Sequence, residues 1–219
     1  MDVEQARFNM IEQQIRPWEV LDDKVLSLIT ETSREDFVPE SERKLAFADI
    51  SIPLMHGQEM MQPKIEARLL QALAIKETEM VLEIGTGSGY LTALLAGLAK
   101  HVYSVDIFPE FTAEAAEKLK QSGIKNVTLK TEDAAQLQSK HQPYDAIAFT
   151  GSCPTPPSEY LNALRVGGRL FVIVGEAPVM EALLYTRTSN DSWTKESLFE
   201  TVLPALLNNN VKAPQKFIL

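Results

Sequence analysis

The sequence contains very little cysteine and histidine. It has one cysteine in 219 residues, Cys153, which excludes an internal disulfide framework and is typical of a protein from a reducing compartment. The three histidines, His56, His101 and His141, are scattered without the spacing of zinc ligands. We therefore expect no metal site.

Basic residues and long apolar runs are also scarce. The chain has 21 Lys and Arg against 30 Asp and Glu, a formal net charge of −9, and an acidic protein without a basic run repels polyphosphates. No run approaches ~18 consecutive apolar residues, and residues 1–18 lack a basic segment followed by an apolar one. We expect a cytoplasmic protein that binds neither nucleic acid nor membrane.

The pattern of apolar residues changes along the chain. With 45% hydrophobic residues, the composition is ordinary for one globular domain with an extension. Apolar residues recur at helical spacing in residues 3–15 and 23–30, and a third helix is predicted to start at Pro63. We therefore predict a helical N-terminal extension with a substrate loop over residues 1–77. A second domain over residues 78–219 forms one structural unit with it.

In the second domain, short apolar strands alternate with helices. This alternation predicts an α/β protein with a doubly wound, mostly parallel sheet and helices on both faces. Helices are predicted at residues 90–98, 110–121 and 158–164. Strands are predicted at residues 80–84, 101–106, 127–130, 144–149, 169–174, 183–188 and 194–199.

The last two predicted strands break the alternation. They are separated by Ser189-Asn190-Asp191, three residue types that favour turns. A segment this short leaves no room for a crossover helix. They are therefore expected to form an antiparallel hairpin at the edge of a seven-stranded sheet. A parallel sheet that ends in such a hairpin resembles the Rossmann-like fold of most S-adenosylmethionine methyltransferases.

A glycine-rich turn follows the first predicted strand. Glycines permit positive φ and let a ligand approach the backbone closely, and the next helix presents free N–H groups at its start. A dinucleotide site would have the spacing G-x-G-x-x-G, whereas here the third glycine comes one residue early. The residues of the turn are Glu83, Ile84, Gly85, Thr86, Gly87, Ser88 and Gly89.

Glu83 distinguishes this turn from a phosphate-binding one. A carboxylate beside a phosphate is repulsive, whereas beside the ammonium group of a methionine moiety it is complementary. The turn therefore predicts S-adenosylmethionine as the cofactor. The alternative for Glu83 is a solvated carboxylate at the end of a strand.

Residues at the ends of the other strands complete the predicted cofactor site. Asp106, with Ile107 beside it, can accept hydrogen bonds from both ribose hydroxyls, although an NAD enzyme uses the same device. Asp133 and Ala134 are placed to face the adenine edge, and Thr150 follows the fourth strand. The structural alternatives are a tight turn for the glycines, a helix cap for Asp106 and an ordinary loop position for Asp133.

The segment before the glycine turn carries a more specific signature. Its parts are Arg34-Glu35-Asp36-Phe37-Val38-Pro39, Leu45-Ala46-Phe47-Ala48-Asp49, Pro53-Leu54, Gly57-Gln58 and Gln62-Pro63, followed by VLEIGTGSGY. In that order and spacing, residues 30–175 resemble the protein-L-isoaspartate O-methyltransferases. The resemblance implies protein repair, by methylation of the abnormal α-carboxyl group of isoaspartyl residues in damaged proteins and peptides.

The loop that the resemblance assigns to catalysis departs from the family pattern. The family has Gly-Gln-Thr-Ile-Ser-Gln-Pro, and this chain has Gly57-Gln58-Glu59-Met60-Met61-Gln62-Pro63. The implied catalytic residues are therefore Gln58, Glu59, Met60 and Met61. The Met61 thioether replaces a serine hydroxyl, and losing one hydrogen bond to a charged group costs about 1.5–3 kcal/mol, a rate loss on the order of tenfold to hundredfold. Glu59 adds negative charge beside an anionic acceptor, which acts in the same direction.

Four interpretations stay open at this point. The first is a carboxyl methyltransferase that acts on an isoaspartyl protein or peptide. The second is a methyltransferase of the same fold whose acceptor is a small molecule suited to a methionine-lined pocket. The third is a non-catalytic S-adenosylmethionine-binding protein whose N-terminal helices and tail, residues 203–219, bind a partner, for example as a homodimer. An NAD-dependent oxidoreductase is the weakest of the four.

Overall fold

The computed structural model describes residues 2–134 and 143–207. The helices are α1 (Val3–Met10), α2 (Asp23–Glu31), α3 (Pro63–Leu73), α4 (Tyr90–Leu98), α5 (Pro109–Gln121) and α6 (Ser158–Asn162). The strands are β1 (Ile52–Pro53), β2 (Glu59–Met60), β3 (Met80–Ile84), β4 (His101–Asp106), β5 (Val127–Thr131), β6 (Tyr144–Cys153), β7 (Leu164–Glu176), β8 (Val179–Ser189) and β9 (Ser192–Thr201). In these two ranges, no helix combines the length and apolarity that a membrane crossing requires.

The central sheet has seven strands in the order β5-β4-β3-β6-β7-β8-β9. The first five in that order run parallel, and β8 and β9 are antiparallel to their neighbours. The predicted mostly parallel sheet with its antiparallel hairpin is therefore confirmed. Because these strands are parallel, the carboxyl ends of β3, β4 and β6 lie at one edge. The chain order reverses between β3 and β6, which is where open α/β sheets bind ligands.

The strands that follow β6 are longer than the sequence predicted. Leu164 already pairs with Tyr144 at the start of β7, so the predicted helix over residues 158–164 ends at Asn162 instead. Gly168 makes this early pairing feasible, since a Cβ atom there would lie 3.1 Å from the carbonyl oxygens of Tyr144 and Asp145.

The N-terminal extension is less regular than predicted. The predicted helix over residues 3–15 is an α-helix only as far as Met10, and it continues as a π-helical turn, Ile11–Ile15, closed by a hydrogen bond from the Arg16 N–H to the Ile11 carbonyl. A short antiparallel pair, β1 and β2, precedes α3 and was not predicted. One hydrophobic core connects the extension to the sheet and includes Ile15, Leu26, Leu70 and Val81.

The chain returns to the sheet after β9. The Ser152 N–H donates to the Pro204 carbonyl at 2.9 Å, and the Leu206 N–H donates to the Ser152 carbonyl at 3.0 Å. The tail segment, residues 202–207, therefore lies along the carboxyl end of β6. The third interpretation assigned a partner to the tail, and residues 208–219 of that tail lie outside the described residues. His141 also lies outside them.

Candidate functional site

Two cavities adjoin the carboxyl ends of β3, β4 and β6. The large cavity encloses about 710 Å³ of space, including its opening to solvent, and the small cavity encloses about 290 Å³. The predicted site residues in the large cavity are Gln58, Glu59, Gly85, Gly87, Asp106, Ile107, Asp133, Ala134 and Thr150. Those in the small cavity are Glu59, Met60, Met61, Glu83, Gly85, Thr86, Gly87, Ser88 and Thr150.

The glycine turn packs closely against its neighbours. Gly85 has φ +98°, and a Cβ atom there would lie 2.1 Å from the Thr150 hydroxyl oxygen, so only glycine fits. That hydroxyl lies 2.9 and 2.8 Å from the carbonyl oxygens of Ile84 and Gly85, which share its one donated proton. Thr150 thereby joins the end of β6 to the turn after β3.

Gly89 differs from the other predicted site residues, since it lines neither cavity. It has φ +82°, and a Cβ atom there would lie 2.9 Å from the Cβ atom of Ala115. Its position between the turn and α5 gives it a packing role. The helix that follows it, α4, therefore begins in close contact with α5.

Glu83 is completely buried behind the glycine turn. Its Oε2 atom accepts hydrogen bonds from the hydroxyls of Thr92 and Ser104, at 2.5 and 2.6 Å. Among the described residues its Oε1 atom has no partner. Burial raises the pKa of Glu83 to about 8, with Asp106 and Glu66 adding to this effect and the two hydroxyls opposing it. The alternative of a solvated strand-end carboxylate is therefore wrong.

Asp106 connects the glycine turn to the start of α5. Its Oδ2 atom accepts the Gly87 N–H at 2.9 Å, and its Oδ1 atom accepts the Phe108 N–H at 3.0 Å. The side chain lines the large cavity and the residue is only 7% exposed, and this burial raises the pKa of Asp106. The helix-cap alternative is wrong, because Phe108 is the N-cap of α5 and no side chain caps that helix, whereas the side chain of Asp106 lines the cavity as predicted.

The remaining cofactor candidates sit around these two acids. The hydroxyl oxygens of Thr86 and Ser104 are 2.6 Å apart, and the Ser88 hydroxyl accepts the Tyr90 N–H at the start of α4. The Ala134 carbonyl accepts a hydrogen bond from the hydroxyl of Tyr160 at 2.6 Å. These contacts fix the rims of both cavities.

The predicted catalytic loop, residues 57–63, runs between the two cavities. Gln58 lines the large cavity, Met60 and Met61 line the small one, and Glu59 lines both. Met60 and Met61 are each 4% exposed. The loop therefore brings two buried thioethers and one exposed carboxylate to the glycine turn.

A buried ion pair that the sequence did not predict holds this loop. Arg34, 1% exposed, donates to the carbonyls of Ala46 and Met61 at 2.9 and 2.7 Å and forms an ion pair with Glu66. Its guanidinium also lies 4.7 Å from the ring centre of Tyr90. Burial raises the pKa of Glu66 to about 7, and Arg34 opposes that shift. The only signal in the sequence was the charge of Arg34 within the segment shared with the family.

Sequence reasoning also missed the contribution of the tail segment. Pro204, Ala205, Leu206 and Leu207 line the large cavity, and Leu206 is so close that a Cβ atom at Gly151 would lie 2.9 Å from its side chain. Contacts over such a sequence distance leave no local pattern. In the part of the chain that the structure describes, no three His, Cys, Asp or Glu residues are grouped to hold a metal ion.

Comparison with known proteins identifies the family. The model of the protein-L-isoaspartate(D-aspartate) O-methyltransferase family matches residues 5–209. The chain is 41% identical to a protein-L-isoaspartate O-methyltransferase of Myxococcus xanthus, over 75% of this chain and 78% of that one. It is 36% identical to one from Marinobacter nauticus, over 90% of each chain.

Solved structures agree with the fold. A putative protein-L-isoaspartate O-methyltransferase from Plasmodium falciparum, in complex with S-adenosyl-L-homocysteine, superposes with a TM-score of 0.77 at 18% identity, covering 94% of this chain and 98% of that one. The chain therefore belongs to the protein-L-isoaspartate(D-aspartate) O-methyltransferase family of S-adenosylmethionine-dependent enzymes.

Proposed function

We propose that this protein methylates the α-carboxylate of isoaspartyl residues in proteins or peptides. One observation carries the proposal: the loop that corresponds to the family's catalytic loop lies against the glycine turn and lines both cavities. The family match spans this loop and the turn together. Protein repair is the function that follows from this chemistry.

The residues of the two cavities fit S-adenosylmethionine, which supplies a methyl group on a sulfonium sulfur. The Oε1 atom of Glu83 is a buried acceptor without a partner among the described residues, and an ammonium group would satisfy it. The Asp106 carboxylate lines the large cavity, where it would accept a hydrogen bond from a ribose hydroxyl. Asp133 and Ala134 would face the adenine edge.

The protein's own part in the reaction is positioning. A carboxylate acceptor is ionised at neutral pH, so no general base is required. The Gln58 amide donates one N–H to the His56 carbonyl at 3.2 Å, and its second N–H can orient the acceptor. Met60 and Met61, both buried, exclude water from the methyl acceptor. This strengthens the hydrogen bond by which Gln58 orients that acceptor.

A second candidate function is methylation of a small, apolar acceptor. Two observations favour it: Met60 and Met61 line the small cavity, and a thioether cannot donate a hydrogen bond to a carboxylate. Under this candidate, isoaspartyl peptides are inert while the cofactor still binds.

The decisive experiment follows the label from methyl-labelled S-adenosylmethionine. We expect label in an isoaspartyl peptide and none in the matched peptide with a normal aspartyl residue. Met61→Ser should raise the rate on the order of tenfold to hundredfold, because it restores a donor to a charged acceptor. Label in a small-molecule extract but not in the peptide would establish the second candidate instead.

We also propose a cytoplasmic location and retain the homodimer as a prediction. The single cysteine supports the first. Light scattering on the full chain would test the second, and a monomer mass at micromolar concentration would contradict it.

A further inference from the structure

The large and small cavities share part of their walls. Five residues line both: Leu54, Glu59, Gly85, Gly87 and Thr150. Asp106, the carboxylate proposed to bind the ribose, lines the large cavity. Glu83, the carboxyl group proposed to bind the ammonium group, lines the small cavity. In S-adenosylmethionine the sulfur atom joins those two halves. Given the proposed cofactor placement, the sulfur belongs at the shared wall.

Glu59 is the one charged residue of the shared wall. In β2 it is exposed while its neighbour Met60 is buried, so its side chain points away from the core. The β1–β2 pair and a 2.8 Å hydrogen bond from the Leu54 N–H to the Gln58 carbonyl fix the backbone before it. The backbone that carries this carboxylate is therefore held by a local hairpin.

Nothing in the described part of the chain neutralises this carboxylate. Glu59 takes part in no ion pair there, and none of the residues lining either cavity is Lys, Arg or His. The ionisable residues of both walls are all acidic: Glu59, Glu66, Glu83, Asp106, Glu132 and Asp133. Glu83 is mostly protonated at pH 7 and Glu66 is paired with Arg34, so the negative charge of the shared wall itself is that of Glu59.

We propose that Glu59 makes the site select the cationic cofactor over its demethylated product. The two molecules differ at the sulfur, which carries a positive charge as a sulfonium and none as a thioether. A carboxylate about 6 Å away in an effective dielectric constant of about 40 favours the sulfonium by about tenfold. The family pattern has an uncharged threonine at this position, so the selection belongs to this chain, and the demethylated product competes less well with the cofactor for the site.

The test is a cycle of dissociation constants measured by calorimetry. S-adenosylmethionine and S-adenosylhomocysteine are each titrated into the wild type, Glu59→Gln and the matched control Glu132→Gln. Glu132 lines the large cavity but not the small one. We expect Glu59→Gln to weaken binding of S-adenosylmethionine about five- to tenfold and to change binding of the product less than twofold. Glu132→Gln should change both constants by a similar factor.

Equal effects of Glu59→Gln on the two ligands, or no effect on either, would overturn the proposal. Thermal melting of each variant establishes that the fold is intact. If neither ligand binds the wild type, the cofactor placement fails and this proposal fails with it. Because no methyl acceptor is present, the result is independent of whether the enzyme acts on isoaspartyl peptides.

Discussion

The Glu83 carboxyl group has an unusual protonation state for an acidic side chain. Because burial raises its pKa to about 8, it is mostly protonated at pH 7 in the ligand-free protein. The unfolded chain ionises this group near the ordinary value of 4.5. A raised folded-state pKa contributes stability that is fully present below 4.5 and is lost as the pH rises through about 8. The ligand-free protein should therefore lose stability across that interval.

Cofactor binding should release this proton. An ammonium group against Oε1 favours the ionised carboxylate, so we expect release of nearly one proton at pH 7 when S-adenosylmethionine binds. Calorimetry in buffers of different ionisation enthalpy measures the number directly. Glu83→Gln should abolish the release, and Glu132→Gln should preserve it. A binding enthalpy of the wild type that is independent of the buffer would contradict the proposed role of Glu83.

Individual site residues differed in how well the sequence could predict their positions. Glu83, Asp106 and Thr150 were predictable as cavity neighbours, since parallel strands bring their carboxyl ends to one edge. Arg34 and Glu66 were not, because their contact depends on how the extension packs against α3. The roles of the cofactor and catalytic residues stay predictions.

Among the elements of the fold, the catalytic loop has a support of its own. Arg34 joins three separate segments through Ala46, Met61 and the α3 residue Glu66. Both charged side chains of this pair are almost fully buried, at 1% and 3% exposure. Removal of one partner therefore leaves the other charge without compensation in the interior.

We expect Glu66→Ala to lower the free energy of unfolding by about 3–5 kcal/mol, because it leaves the buried Arg34 guanidinium without a counter-charge. Glu66→Gln should cost less, since the amide oxygen still accepts a hydrogen bond. The matched control is Glu12→Ala, which removes the exposed Arg16–Glu12 pair and should cost less than about 1 kcal/mol. Urea denaturation measures all three. A loss for Glu66→Ala no greater than for the control would refute this account.

The elements themselves were predicted with unequal success. The strands from β3 to β5 and helix α4 were predictable within a residue, since short apolar runs alternate with a periodic helix. The β1–β2 pair was not, because two-residue strands carry no periodicity. The buried residues of the π-helical turn, Ile11 and Ile15, are four positions apart, as apolar residues in an α-helix are, so the sequence could not distinguish the two.

The whole molecule behaves as one packed body in its described part. The same hydrophobic core contains residues of the N-terminal helices and of the sheet. Trp18, in the extension, makes an edge contact with Phe199 of β9 at 5.6 Å. The boundary between residues 77 and 78 stays a prediction about sequence character, and the shared core argues against independent folding of the two parts.

We therefore expect a single cooperative unfolding transition. The chain has two tryptophans, Trp18 in the extension and Trp193 in the hairpin, so Trp18→Phe and Trp193→Phe each leave one local probe. Fluorescence and far-ultraviolet circular dichroism should give coincident urea midpoints within each variant. Two separated transitions, with the Trp18 signal lost first, would show that the extension unfolds independently.

The hydrogen bond from Arg34 to the Met61 carbonyl has a consequence for substitutions at position 61. An arginine that holds the main chain imposes no demand on the side chain attached to it. A substitution at position 61 therefore keeps this main-chain hydrogen bond, while it changes the packing of a buried side chain. Such a change alters the wall of the small cavity without removing the contact that ties the loop to Arg34.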